Sequence, residues 1–236
     1  MVESAHAPVR GWQALRTVLE MIKFEHSIFA LPFAMIGMMW GSVHKLGTSW
    51  PGFATFFWIV VAMVSCRSAA MAFNRIADRD IDALNPRTRM RALPAGLLKL
   101  RQVNLFLLGS IIVFVLAAAM LNPLALALSP IALVVTLGYS LSKRYTPLCH
   151  LILGFSLGIA PAAAWIGVTG SLDPGVLWLT AAVTGWTAGF DIIYALQDAE
   201  FDHKHGLHSL PQRLGKARAL MVSRALHLTA IGCLIG

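Results

Sequence analysis

The chain has 236 residues, 57% of them hydrophobic and 13% charged, with a formal net charge of +8 and a mean hydropathy of +0.69. A soluble domain carries about 25% charged residues. The composition therefore excludes an ordinary soluble domain and gives no sign of a nucleic-acid partner. It implies an all-α, multi-pass transmembrane helical bundle in a lipid bilayer.

Residues 1–23 are mixed polar, with no cleavable signal peptide apparent. A spanning helix needs about 20 mostly apolar residues. Such segments are expected near 24–43, 53–73, 103–121, 123–141, 148–169 and 175–194, and a seventh starts near 219 and is cut off by the end of the chain at Gly236. The connectors 44–52 and 170–174 are short and carry turn residues (Gly47, Pro51, Gly52; Gly170, Pro174). The connectors 74–102 and 195–218 are long and charged. Of 19 Lys and Arg, all but Lys45, Arg67 and Arg224 fall on one side of this topology. Positive charge marks the cytoplasmic side, which places the N-terminus inside. Cys66, Cys149 and Cys233 are scattered in apolar runs and read as buried small hydrophobes.

Acidic residues are rarer and more informative. Of 11 Asp and Glu, Asp78, Asp80, Asp82, Asp191, Asp198, Glu200 and Asp202 fall in two stretches, each directly after an apolar segment. Carboxylates near membrane depth are costly, so paired clusters of them point to function. Read as a helix end, the first places Asn74, Asp78 and Asp82 at i, i+4 and i+8, on one face. In the second, Asp198 and Asp202 are i, i+4, with Asp191 and Tyr194 one to two turns back. Two carboxylate faces without paired histidines suit a hard divalent cation, for which Mg²⁺ is the natural candidate. Arg67, Arg87, Arg89, Arg91, Lys143, Arg144 and Lys204 can converge on the same mouth. Acid with an excess of base suits a metal-bound polyanion such as diphosphate. Arg79 and Asp80 read as a solvated helix face, and His203, His205 and His208 as a solvated loop.

The two halves echo each other in the order apolar helix, Asp-rich helix end and basic loop. This hints at an internal repeat with the sites meeting at its interface. Two other classes stand beside this reading. A cation-coupled transporter would carry acids near the bilayer centre. A CDP-alcohol phosphotransferase would carry Asp-Gly followed by Ala-Arg in its acidic motif, which neither stretch contains.

The stretch Arg67…Asn74-x-x-x-Asp78-x-x-x-Asp82, with Asn85-Pro86-Arg87-Thr88-Arg89 and Leu93-Pro94-Ala95-Gly96 after it, resembles the UbiA superfamily of intramembrane prenyltransferases. So does Asp191-x-x-Tyr194-Ala195-x-Gln197-Asp198-x-x-x-Asp202-x-Lys204-x-Gly206-x-x-Ser209. Gly138-Tyr139-Ser140 leading to Lys143-Arg144-Tyr145-Thr146 looks like a third landmark, and Lys23 before Ile28 through Pro32 like the opening segment. The resemblance runs from about residue 20 to the end and is strongest to the bacterial 4-hydroxybenzoate polyprenyltransferases. Two positions depart from the pattern. Arg75 follows Asn74 where Asp is common, and Phe201 stands where the second motif often has Asp. The Asn-Arg variant looks like a branch linked to menaquinone made by the futalosine route, with a dihydroxynaphthoate as acceptor.

The resemblance implies a single membrane-embedded domain over residues 1–236. The family usually has nine spans, against the six and part of a seventh offered here, so the domain is expected to be C-terminally incomplete. It implies a bacterial inner-membrane enzyme that moves a polyprenyl group from polyprenyl diphosphate to a ring carbon of an aromatic acid. Asn74, Asp78 and Asp82 would hold one Mg²⁺, and Asp198 and Asp202, with Asp191, a second. Arg67, Arg87, Lys143 and Lys204 would bind the diphosphate. Tyr139 and Tyr194 would position the acids or shield an allylic cation. Lys23 or Arg87 would hold the acceptor carboxylate.

Overall fold

The computed structural model describes residues 11–23 and 27–235. Among these residues every regular element is helical. In chain order they are α1 (Gly11–Met21), α2 (Ser27–Leu46), α3 (Phe53–Ala77), α4 (Arg79–Leu84), α5 (Leu100–Leu121), α6 (Pro123–Ser142), α7 (Cys149–Thr169), α8 (Pro174–Ala195), a 3₁₀ turn (Leu196–Asp198), α9 (Ala199–Lys204) and α10 (Leu210–Ile235). Six stretches among the described residues are long and apolar enough to cross a membrane: α3, α5, α6, α7, α8 continuing to Lys204, and α10. The first expected span corresponds to α2; its residues 24–26, like Gly236 at the far end, lie outside the described residues.

The turns follow local chemistry. Asn122 caps α6 by accepting from the Ala125 N–H at 2.9 Å, with Pro123 opening the helix. Asp173 and Pro174 repeat this at α8, where the Gly175 N–H donates to Asp173 Oδ1 at 2.7 Å. The amide of Asn122 also donates to the Ile166 carbonyl at 2.7 Å, tying the α5–α6 turn to α7.

The most buried helix is α7, which packs against α2, α3, α5, α6 and α8. Water-driven apolar burial does not operate between helices in lipid, so close van der Waals packing of small residues holds them together. Gly154 and Gly158 form that seam. A Cβ on Gly154 would collide with the Thr184 carbonyl oxygen, and one on Gly158 with the Thr184 hydroxyl.

Two elements differ from expectation. The mixed-polar N-terminal segment contains α1, which buries Ala14, Val18 and Met21 against Ala72, Leu93, Leu98 and Val103. Its apolar stripe is short and its opposite face is polar, so hydropathy alone passes over it. The last helical element starts at Leu210, ahead of the span expected near 219, and breaks at Gly215 (φ 76°, ψ 166°) before running on to Ile235. Glycine alone adopts that conformation without strain.

Candidate functional site

Both acidic stretches break their helices, where the sequence suggests a continuous face. α3 ends at Ala77, and Asp78 takes φ −92°, ψ 5° before α4 restarts at Arg79. α8 gives way to the 3₁₀ turn, and Asp198 takes φ −105°, ψ 2° before α9 starts at Ala199. These matching values lie in the sparsely populated bridge region, where many active-site residues sit. Each break is followed by a six-residue helix carrying a second acid, Asp82 in α4 and Asp202 in α9. The echo between the halves is thus present in the backbone.

Each of these four acids faces a base. Asn74 donates to Asp78 Oδ2 at 3.0 Å, and Arg144 lies 3.7 Å from Asp78 Oδ1. Arg91 Nη1 reaches both oxygens of the buried Asp82, at 2.8 and 2.7 Å. Arg87 grips Asp198 in a fork, with Nε on Oδ1 at 3.0 Å and Nη2 on Oδ2, and Asn85 adds a donor to Oδ1 at 3.2 Å. Lys143 Nζ lies 2.7 Å from Asp202 Oδ1. Burial first, and then Asp82, push the Asp78 carboxyl above the ordinary carboxylate range, against the pull of Arg144, Lys143 and Arg75. The bond to Asp198 raises the already high Arg87.

Among the described residues no three His, Cys, Asp or Glu side chains are gathered as a ready-made metal site. The donor set still fits a hard cation. It consists of carboxylate and amide oxygens, and Asp202, fully buried, accepts no hydrogen bond at either oxygen. The Lys143 contact is an ion pair outside hydrogen-bond geometry. Lys143 supplies a counter-charge, and a buried carboxylate that accepts no hydrogen bond still has oxygen lone pairs that a bound cation would satisfy.

Below this end lies an apolar cavity of about 440 Å³ between α3, α5, α6, α7 and α8. Arg67, Met71 and Tyr139 line its acid-proximal end, with Arg67 Nε buried and free of hydrogen-bond partners. Met71 and Tyr139 are each about one turn from Asn74 and Lys143 respectively. Ile59 and Leu121 line the far part. Ile59 and Met71 are 12 residues apart on α3, which makes the cavity about 18 Å long at 1.5 Å per residue. A shallow groove between α6 and α7 shares Val135 and Phe155 with it.

Not every expected residue joins this arrangement. Asp191 is engaged by His150, whose Nδ1 lies 2.6 Å from Asp191 Oδ2. Lys204 is exposed and pairs with Glu200 one turn away. Tyr194 is half exposed and lies under the Arg87 guanidinium, 5.6 Å from its ring centre. Lys23 is exposed, in the turn after α1. Arg75, one of the two departures from the family pattern, is buried and donates to Asn74 Oδ1 at 3.2 Å, orienting that amide toward Asp78. Phe201, the other, stacks on His205, with ring centres 4.0 Å apart. Sequence reasoning missed His150 and Asn85 as site residues. Asn85 lay inside a motif segment, and His150 had no neighbouring signal.

Fold and site together define a polytopic membrane protein that joins a dense charged centre to an apolar cavity. A sequence model of the UbiA prenyltransferase family matches residues 30–236, and the chain belongs to that family. It is an enzyme, a prenyltransferase. It is 32% identical to the 4-hydroxybenzoate octaprenyltransferase of Vibrio atlanticus, over 86% of this chain and 72% of the relative. The corresponding protein of Vibrio parahaemolyticus is 31% identical, over 87% and 73%. Among solved structures, a UbiA homologue from Aeropyrum pernix superposes with a TM-score of 0.82 at 39% identity, covering 90% of this chain and 78% of that one. A UbiA homologue from Archaeoglobus fulgidus bound to GPP and Mg²⁺ shares the fold, with a TM-score of 0.73 at 21% identity over 93% and 76%.

Proposed function

We propose that this enzyme transfers a polyprenyl group from polyprenyl diphosphate to a ring carbon of an aromatic acid. The acceptor is 4-hydroxybenzoate or a dihydroxynaphthoate, and the product serves quinone biosynthesis. The site would face the cytoplasm at the bacterial inner membrane, the orientation supported by the asymmetry of Lys and Arg. The observation that carries this reading is the pair of matched helix breaks. Each places two aspartates, paired with basic side chains, at the end of the bundle toward which Arg67, Met71 and Tyr139 line one apolar cavity. The names of the Vibrio relatives support the acceptor 4-hydroxybenzoate.

Asn74, Asp78 and Asp82 would hold one Mg²⁺, and Asp198 and Asp202 a second; Asp191 and Lys204 are left out of the set. When bound, these ions would supply positive charge to the diphosphate as the allylic C–O bond ionises. Arg87 and Lys143, which pair with carboxylates here, turn to phosphate oxygens, and Arg67 joins them from the cavity end. The leaving diphosphate keeps the C–O electron pair. The Tyr139 ring lies where it can shield the allylic cation. The acceptor's π electrons form the new C–C bond, and loss of the ring proton restores aromaticity. The acceptor carboxylate is assigned to Lys23 or Arg87. The prenyl tail fills the cavity, and longer chains leave past Phe155 toward lipid.

The test is prenyl transfer in membranes with labelled polyprenyl diphosphate and each acceptor. We expect a lipid-soluble labelled product with Mg²⁺ and none with excess EDTA. No product from either acceptor with folded protein overturns the reading. The tail assignment makes its own prediction. Ala132→Phe, which fills the cavity, should lower kcat/KM for long-chain diphosphates by about tenfold or more while sparing short ones. Equal loss for all chain lengths would remove the cavity from the mechanism.

A further inference from the structure

His150 is 2% exposed, and the proposed reaction leaves it unused. The Leu210 N–H donates to His150 Nε2 at 3.2 Å, so that nitrogen carries no proton. The ring proton then sits on Nδ1 and is donated to Asp191 Oδ2 at 2.6 Å. One ring therefore ties together α7, α8 and the first residue of α10.

Its neighbours grip the same segment. The Cys149 thiol donates to the His208 carbonyl at 3.4 Å. The His208 N–H donates to the Lys143 carbonyl at 2.8 Å, and the Leu207 N–H to the Asp202 carbonyl at 2.9 Å. The segment 207–210 thus runs from the clasped residues straight to the backbone of Asp202. The Asp202 carboxylate accepts no hydrogen bond that would orient it. Apart from the Lys143 ion pair at 2.7 Å, its direction is set by its backbone.

We propose that His150 and Asp191 form a clasp that positions Asp202, and that Asp191 acts through this clasp rather than as a metal ligand. The inference rests on the metal-dependent reading above. Partners of this kind orient ligands without touching the ion, and their loss lowers metal affinity.

The experiment measures Mn²⁺ binding by electron paramagnetic resonance on the purified full chain in nanodiscs, without substrate. Folding is checked by thermal unfolding. Asp202→Asn should lose Mn²⁺ from its site, whereas Asp191→Asn, whose amide oxygen still accepts from Nδ1–H, should keep the wild-type stoichiometry. His150→Leu should weaken Mn²⁺ binding about tenfold or more, and His150→Gln, with one donor and one acceptor, should restore it to within about threefold. Loss of Mn²⁺ in Asp191→Asn as complete as in Asp202→Asn would make Asp191 a ligand and overturn the clasp. So would wild-type affinity in His150→Leu. If His150→Leu does not fold, His150→Gln and Asp191→Asn decide by the same criteria. Wild-type protein that binds no Mn²⁺ would overturn the metal-dependent reading itself, a result distinct from failure of the clasp.

Discussion

Asp198→Ala should lower the rate of prenyl transfer by at least about 10²–10³-fold at saturating Mg²⁺, with the protein still present in the membrane. Asp198 sits at the break between α8 and α9 and accepts from Arg87 and Asn85. Removing it takes away a negative oxygen pair from the proposed second metal and leaves the Arg87 guanidinium without its carboxylate. The expected loss corresponds to about 3–4 kcal/mol of transition-state stabilisation. The control is Asp80→Ala. Asp80 is exposed and pairs with the exposed Arg79, and such surface pairs contribute about 0–1 kcal/mol. Its activity should stay near wild type. Asp198→Ala with more than about a tenth of wild-type turnover would contradict an electrostatic role of this size.

Gly158→Val should unfold the bundle or lower its stability by about 1–3 kcal/mol or more, the usual range for overpacking a close contact. The Cβ position of Gly158 is already taken by the Thr184 hydroxyl, with the Thr180 carbonyl beyond it at 2.8 Å. Relief requires moving α8, and α8 carries Asp191 and leads directly to Asp198. Stability and activity should therefore fall together. Gly109 has open space around its Cβ position. Gly109→Ala should be neutral or slightly stabilising, since alanine is the better helix former. Thermal unfolding in detergent distinguishes the two, and an unchanged Tm for Gly158→Val would show that α7 and α8 are not held by this seam.

Much of the architecture was legible in the chain. Spanning helices announce themselves because about 20 apolar residues are needed to cross a bilayer and every backbone group must be paired within it. Asn122-Pro123 and Asp173-Pro174 mark helix starts by capping chemistry that acts over two or three residues. α1 was missed because its buried face is short and its partners, Leu93 and Val103, lie far along the chain. The acidic stretches were found by spacing, but spacing suggested smooth helix faces. The backbone breaks at Asp78 and Asp198 instead, separating each first acid from its second.

Sequence alone determined the class of protein and the order of its helices, and it marked the two acidic stretches from which the charged end is built. Those follow from hydropathy, residue chemistry and periodicity, which are properties of short stretches. Partner choice was decided only by tertiary structure. Arg87 meets Asp198 across 111 positions of chain. Asp191, which looks like one more ligand in its motif, is claimed by His150, 41 positions away. The second pairing depends on how closely α7 meets α8, and that is set by the Gly154 and Gly158 seam. Electrostatic attraction falls with distance in space, and only the packed bundle defines that distance.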